Sequence, residues 1–153
     1  MFRGINAVNI DSKGRMAVPT KYRDRLLQDC AGRLVVTIDT DATCLLLYPM
    51  PEWELIEAKI QALPSFNAGA RRVQRLLIGH ATDLELDNTG RLLIPPLLRD
   101  YAGFDKRVML VGQGKKFELW DEVQWEANRS QWLALSTETA THDLPQDLQN
   151  LAL

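Results

Sequence analysis

Asp11-Ser12-Lys13-Gly14-Arg15-Met16-Ala17-Val18-Pro19 returns 76 residues later as Asp87-Asn88-Thr89-Gly90-Arg91-Leu92-Leu93-Ile94-Pro95. Each copy runs on to an Arg-Asp pair, Arg23-Asp24 and Arg99-Asp100, so six identities fall in register with apolar residues matched between them. After a four-residue deletion the echo resumes, Leu47-Tyr48 answering Leu119-Trp120 and Trp53-Glu54 answering Trp125-Glu126. Two copies of one unit present one kind of surface twice, which suits a repeated partner and says little about catalysis. A unit of this size alone would have a marginal core, because a domain near 60 residues buries only about 60% of its unfolded surface. The two halves are therefore expected to share one core.

Asp at the first position of each motif and Gly at the fourth are what a tight turn prefers: the carboxylate caps backbone N–H groups and glycine accepts positive φ. The turns are expected to join 5–10 to 15–18 as a β-hairpin, with the same hairpin around 87–90. Pro19 and Pro95 cannot donate to a strand ladder but suit a helix start, so each marks a strand-to-helix switch. Short helices should follow, carrying Tyr22, Leu26 and Leu27 in one half and Leu97, Leu98 and Tyr101 in the other. Segments 33–39 with 44–48, and 107–111 with 116–120, read as further hairpins, the second tipped by Gly112-Gln113-Gly114. Trp53, Ile56, Ile60 and Leu63 stand at helical spacing, and a second helix over 68–78 is split off by Pro64. A final helix is expected over 120–135, with Val123, Trp125 and Trp132 on its buried side. The division is then a first repeat over 5–52, linking helices over 53–80, a second repeat over 81–124, and a helix with a mobile acidic tail over 125–153.

The chain has 153 residues, 46% of them apolar, an ordinary globular composition. No apolar run approaches the roughly 20 residues of a membrane span, and Met1-Phe2-Arg3 opens without a signal-peptide core, so a cytoplasmic protein is expected. Cys30 and Cys44 lack metal-type spacing and read as buried reduced thiols. The net charge of −2 argues at first against a nucleic-acid partner. Its distribution reverses that. Residues 1–30 carry Arg3, Lys13, Arg15, Lys21, Arg23 and Arg25 against three acids, a net +3; residues 121–153 carry one cation against six acids, a net −5.

Strand alternation sends Arg15 and Ala17 to one face and Met16 and Val18 to the other, so the arginine points outward from a rigid turn. Such an arginine can bond guanine O6/N7 or phosphate in bidentate fashion. An isolated motif of this kind would read first as Arg15 pairing with Asp11 across its own turn, a contact worth about 0–1 kcal/mol when exposed. Two copies at matching positions favour function, although a repeat could also preserve a purely structural turn.

The pattern Asp-x-x-Gly-Arg-h-x-h-Pro-x-x-h-Arg, with h apolar, resembles the SpoVT-AbrB/MazE-type swapped-hairpin DNA-binding domain. The tandem copies, the Met1-Phe2-Arg3-Gly4 start, Leu47-Tyr48-Pro49 with Pro51-Glu52-Trp53, and Arg71-Arg72-Val73-Gln74-Arg75-Leu76-Leu77 extend that resemblance to two-repeat bacterial regulators over nearly the whole chain. The resemblance implies an α+β fold, a pseudo-dimer whose interleaved hairpins make a small β-barrel with flanking helices. It implies a nucleoid-associated regulator, without cofactor, metal or small-molecule substrate, that binds direct repeats in promoter double-stranded DNA as a homo-oligomeric ring. Its usual action is repression of its own gene and of the division and cell-wall gene cluster. Carried onto this sequence, base or groove contact falls to Arg15 and Arg91, phosphate contact to Lys13, and further contact to Arg3, Lys21, Arg23 and Arg99. Asp11, Gly14, Asp87 and Gly90 shape the turns. Lys13 corresponds to Thr89 and Lys21 to Leu97, so the first repeat is expected to bind more strongly.

His80 and His142 have no second ligand at metal spacing, and no Gly-x-Ser-x-Gly nucleophile motif is present, so neither a metal site nor an enzyme is expected. The four tryptophans read as core or subunit interface before base-stacking platforms. A protein-interaction module of the antitoxin type, its acidic segment 136–153 folding on a partner, stays open as the alternative.

Overall fold

A computed structural model describes residues 1–135, 144, 145 and 148. Residues Met1–Glu122 form one compact unit, and the chain from Val123 forms a second, separate one. The first unit runs β1 (Phe2–Asn9), β2 (Arg15–Ala17), α1 (Thr20–Cys30), β3 (Arg33–Ile38), β4 (Leu45–Pro49), α2 (Met50–Gln61), α3 (Ala68–Val73) with a π-helical turn over Gln74–Ile78, β5 (Thr82–Glu85), β6 (Arg91–Leu93), α4 (Pro96–Ala102), β7 (Arg107–Gly114) and β8 (Phe117–Asp121). The fold is α+β, and every strand pairing in it is antiparallel.

The repeat explains the topology. One sheet has the order β1-β7-β8-β4-β3-β5, and exchanging each strand for its counterpart in the other repeat turns that order into its own reverse. β1 pairs with β7, β3 with β5 and β4 with β8, so both repeats build one sheet between them. A two-stranded ribbon holds β2 against β6 in the register Arg15 to Leu93, Met16 to Leu92 and Ala17 to Arg91, a self-complementary pairing centred on Met16 and Leu92. Met16, Val18, Leu92 and Ile94 are at most 1% exposed and lie in one cluster with Leu26, Leu34, Leu98, Phe117 and Leu119. The shared core expected from the marginal size of one repeat is what forms.

Two expectations about the strands require correction. The hairpin joining 5–10 to 15–18 shrinks to a single bridge between Ile10 and Met16, because β1 and β2 leave the turn for different sheets and find partners in the other repeat. The strands also do not close a barrel: β1 and β5 remain the ends of the sheet. Pro19 and Pro95, unable to donate to a ladder, follow the ribbon closely on each side and keep it to three residues per strand.

Helix α1 starts after Pro19 and ends at Ala31 in the left-handed region, where the Gly32 N–H reaches back to Leu26 O. Its Tyr22 and Leu26 are buried while Leu27 is exposed. In α4 Leu98 is buried and Leu97 exposed. Of the Gly112-Gln113-Gly114 segment, Gly112 is the last β7 residue paired with β8, while Gln113 and Gly114, at φ 83°, enter the four-residue turn that the Gln113 N–H closes on Lys116 O. A Cβ on Gly112 would come within 2.6 Å of Arg3 N, so this glycine admits the β1 backbone.

Helix α5 (Glu122–Ala134), which from Val123 on belongs to the second unit, pairs Trp125 and Trp132 edge to face at 5.7 Å. Val123 and Trp132, expected to be buried, are exposed. The tail expected to be mobile, with His142, falls outside the described residues apart from 144, 145 and 148. Among the described residues no helix is long and apolar enough to cross a membrane.

Candidate nucleic-acid interface

Each repeated motif forms the same turn from the same bonds. In the first, the Gly14 N–H donates to Asp11 O and the Asp11 N–H to Arg15 O, closing the loop. The Asp11 Oδ1 accepts from the backbone N–H groups of Lys13 and Arg15 at 3.0 and 2.9 Å, and its Oδ2 accepts from Arg15 Nε at 2.7 Å. In the second, Asp87 Oδ1 accepts from Thr89 N, the Thr89 hydroxyl and Arg91 N, all at 2.9 Å, and Oδ2 takes Arg91 Nε at 3.2 Å. Gly14 and Gly90 stand at φ of 90° and 76°. The Arg91 N–H, with both Thr89 donors, holds the Asp87 carboxyl down at about 2; the Arg15 N–H lowers Asp11 in the same sense. Both aspartates are thus charged at neutral pH.

The two turns are locked to each other. The Val18 N–H donates to Gly90 O at 3.0 Å and the Ile94 N–H to Gly14 O at 2.8 Å, so the chain leaving each ribbon strand bonds the opposite turn. Arg23 of the first repeat donates Nε to Val18 O and lies where a Cβ on Gly90 would be. Arg99 of the second repeat lies against Gly14, where an added Cβ would stand 2.7 Å from its Nε and 2.7 Å from Ile94 O. That Nε is buried without a hydrogen-bond partner. Glycine at these turns answers two demands, positive φ and the room an arginine of the other repeat occupies.

The expected site residues fall into three groups. Lys13, Arg15 and Arg91 stand on the two turns, Lys13 exposed and both arginines about 37% exposed. Arg23 and Arg99 lie half-buried behind those turns. Arg3 and Lys21 are elsewhere: Arg3 precedes the turn by eight residues of mostly extended chain, roughly 25 Å at about 3.3 Å per residue. Lys21 Nζ sits 4.8 Å from the centre of the Tyr22 ring, and the Tyr22 hydroxyl donates to Arg3 O. The structure therefore gathers three expected cations at the turns and places Arg3 and Lys21 together at the far end of β1. It also adds exposed Lys106, whose carbonyl accepts the Ile10 N–H at the root of the first turn. Only the β1–β7 pairing brings Lys106 there, so sequence reading had no signal for it. Counting side chains, the first turn carries Asp11, Lys13 and Arg15, a net +1, while the second carries Asp87 and Arg91 and is neutral.

Asp39, Cys44 and Glu118 converge with donor atoms within 4.8 Å of one another, a grouping of metal-type donors that sequence spacing did not suggest because β4 and β8 meet only in the folded sheet. Burial, reinforced by the Glu118 and Asp39 charges, pushes the Cys44 thiol up, and its Sγ donates to Asp39 Oδ2 at 3.5 Å. In this arrangement the thiol is held as a hydrogen-bond donor to the Asp39 carboxylate. His80 Nδ1 donates to Leu76 O at 2.7 Å, capping the π-helical turn.

Comparison with known proteins agrees with the repeat. The family model described as "MraZ protein, putative antitoxin-like" matches twice, over residues 1–76 and 77–147. A protein of Halorhodospira halophila called transcriptional regulator MraZ is 55% identical over 153 residues, covering the whole of both chains. Its namesake in Coxiella burnetii is 56% identical over the same span, and that of Thioalkalivibrio sulfidiphilus is 59% identical over 140 residues, 92% of this chain and 93% of the relative.

Proposed function

The chain belongs to the MraZ family, and from that premise we propose that it is a non-enzymatic, sequence-specific DNA-binding transcriptional regulator, cytoplasmic and nucleoid-associated. The observation that carries this reading is the pair of Asp-x-x-Gly-Arg turns, each bonded to the other and each presenting a half-exposed arginine. A guanidinium has five N–H donors, and the Asp11 bond engages Nε; the terminal amino groups are the fork that would meet guanine O6/N7 or a phosphate. Arg15 and Arg91 take groove contact in this reading, and Lys13 takes a phosphate. Arg3 and Lys21, removed from the turns, would meet DNA at a separate place along it. The repeats over 5–52 and 81–124 are the two binding units.

Affinity from so few cations is modest, because log K falls by about 0.9 per phosphate contact for each log unit of salt. We infer that avidity supplies the rest: a ring of protomers placing turns on promoter direct repeats near one helical turn apart, roughly 34–36 Å. Its targets in this reading are its own promoter and the division and cell-wall cluster behind it, which it represses. The net +1 of the first turn against the neutral second supports unequal contributions from the two heads.

Fluorescence anisotropy with DNA from upstream of the protein's own gene, beside scrambled DNA at two salt concentrations, tests the proposal. Wild type should prefer its own upstream DNA in a salt-sensitive way. Arg15→Ala should lose that preference while melting within about 4 °C of wild type, since an exposed pair contributes about 0–1 kcal/mol. A folded, oligomeric protein with no preference would move the function to a protein partner.

A further inference from the structure

We propose that Arg23 and Arg99 are positioning residues that act across the repeats, Arg99 setting the first turn and Arg23 the second, instead of touching DNA themselves. The proposal rests on the DNA-binding reading for its functional half and on geometry alone for its structural half. Arg99 belongs to α4 of the second repeat, yet its Nε and Cζ lie where a Cβ on Gly14 would stand, 2.7 and 2.8 Å away. Arg23 belongs to α1 of the first repeat and fills the equivalent place at Gly90. Each arginine stands eight residues after the arginine of its own turn, and each reaches the other one.

The backbone follows the same crossed pattern, Val18 bonding Gly90 and Ile94 bonding Gly14. Arg23 further ties its Nε to Val18 O, the carbonyl of the residue whose N–H holds Gly90. Around Gly90 side chain and backbone thus form a closed loop of contacts, and around Gly14 the Arg99 side chain and the Ile94 N–H bond enclose the turn. Nε of Arg99 is buried and Arg23 donates its Nε to Val18 O, so both side chains are engaged against the turn of the opposite repeat. A planar guanidinium packed against a turn is not matched by the point charge of lysine. The consequence for function is that the two reading heads are one rigid element: disturbing the helix of one repeat moves the head of the other.

Deuterium exchange of the full-length, DNA-free oligomer separates this from a contact role. Arg99→Ala should raise exchange about tenfold over 11–15, where it removes the side chain that packs against the turn, and leave 87–91 within about twofold. Arg23→Ala should do the mirror image. Exchange over β3 and β4 should stay unchanged, which reports that the variants are folded, and Arg99→Lys, keeping stem and charge, should behave as Arg99→Ala does. In DNA binding, adding Arg99→Ala to Arg15→Ala should cost only what Lys13 on the same turn still supplies, whereas adding it to Arg91→Ala should multiply the loss. Exchange rising at neither turn, or only at the turn of the same repeat, overturns the proposal. So does recovery of affinity by Arg99→Lys, which would mark a phosphate contact. Should wild type show no DNA preference, the exchange pattern still decides the crossed bracing, and only the regulator reading falls.

Discussion

Gly14 shows how much chemistry one position can hold. Its φ of 90° is strained for any residue with a Cβ, and that Cβ would collide with Ile94 O and Arg99. Gly14→Val combines backbone strain of about 1–3 kcal/mol with overpacking of similar size, so it should lower Tm by roughly 5–15 °C in a thermal melt. An unchanged Tm would mean that this turn is not built as described. Asp87 acts through pH. Its folded value of about 2 lies below the ordinary 3.8, so its carboxylate stabilises the fold above the unfolded value, and that contribution disappears as pH falls from about 3.8 towards 2. The Tm gap between wild type and Asp87→Asn should accordingly be widest above pH 5 and close near pH 2; a gap independent of pH would show the carboxylate charge to be irrelevant. The turn, its glycine and its capping aspartate were legible in the motif, because turn chemistry is local. The arginine occupying the glycine's missing Cβ was not, because it comes from 85 residues further along.

At the scale of elements, alternation correctly placed Met16 and Val18 inside and Ala17 outside, and the strands over 33–38 and 45–49 match the apolar runs that suggested them. Partner choice was the error. Periodicity states which face of a strand is buried and nothing about which strand lies beside it. β1 and β2 looked like a hairpin from their short connection, and they separated because the other repeat offered ladders of the same chemistry with better burial. Gly112 marks the same lesson in β7, where it was read as a turn and serves as a gap for Arg3. Gly112→Val should loosen β1 by about 1–3 kcal/mol of overpacking, visible as faster exchange over 2–9 with β3 and β4 still protected. Equal exchange in variant and wild type would mean that β1 tolerates the side chain.

At the scale of the molecule, the two repeats make a dimer within one chain, and the consequence is testable by cutting it. Residues 1–76 alone would lose β7 from β1, β5 from β3, β6 from β2 and β8 from β4. As a monomer this fragment should show no cooperative urea transition, while mixing it with residues 77–135 should restore one. Cooperative unfolding of the monomeric fragment would refute the shared core. The duplication, the turns, the outward arginines, the shared core and the strand-to-helix switches were all determined by the sequence, because each depends on residues within a few positions or on the bare size of a unit. The crossed pairing, the open sheet, the arrival of Lys106 at the first turn and the bracing of each turn by the opposite repeat's arginine were decided only by tertiary structure. They depend on which of two near-identical partners a strand meets, and two copies of one sequence encode that choice through the packing of the whole.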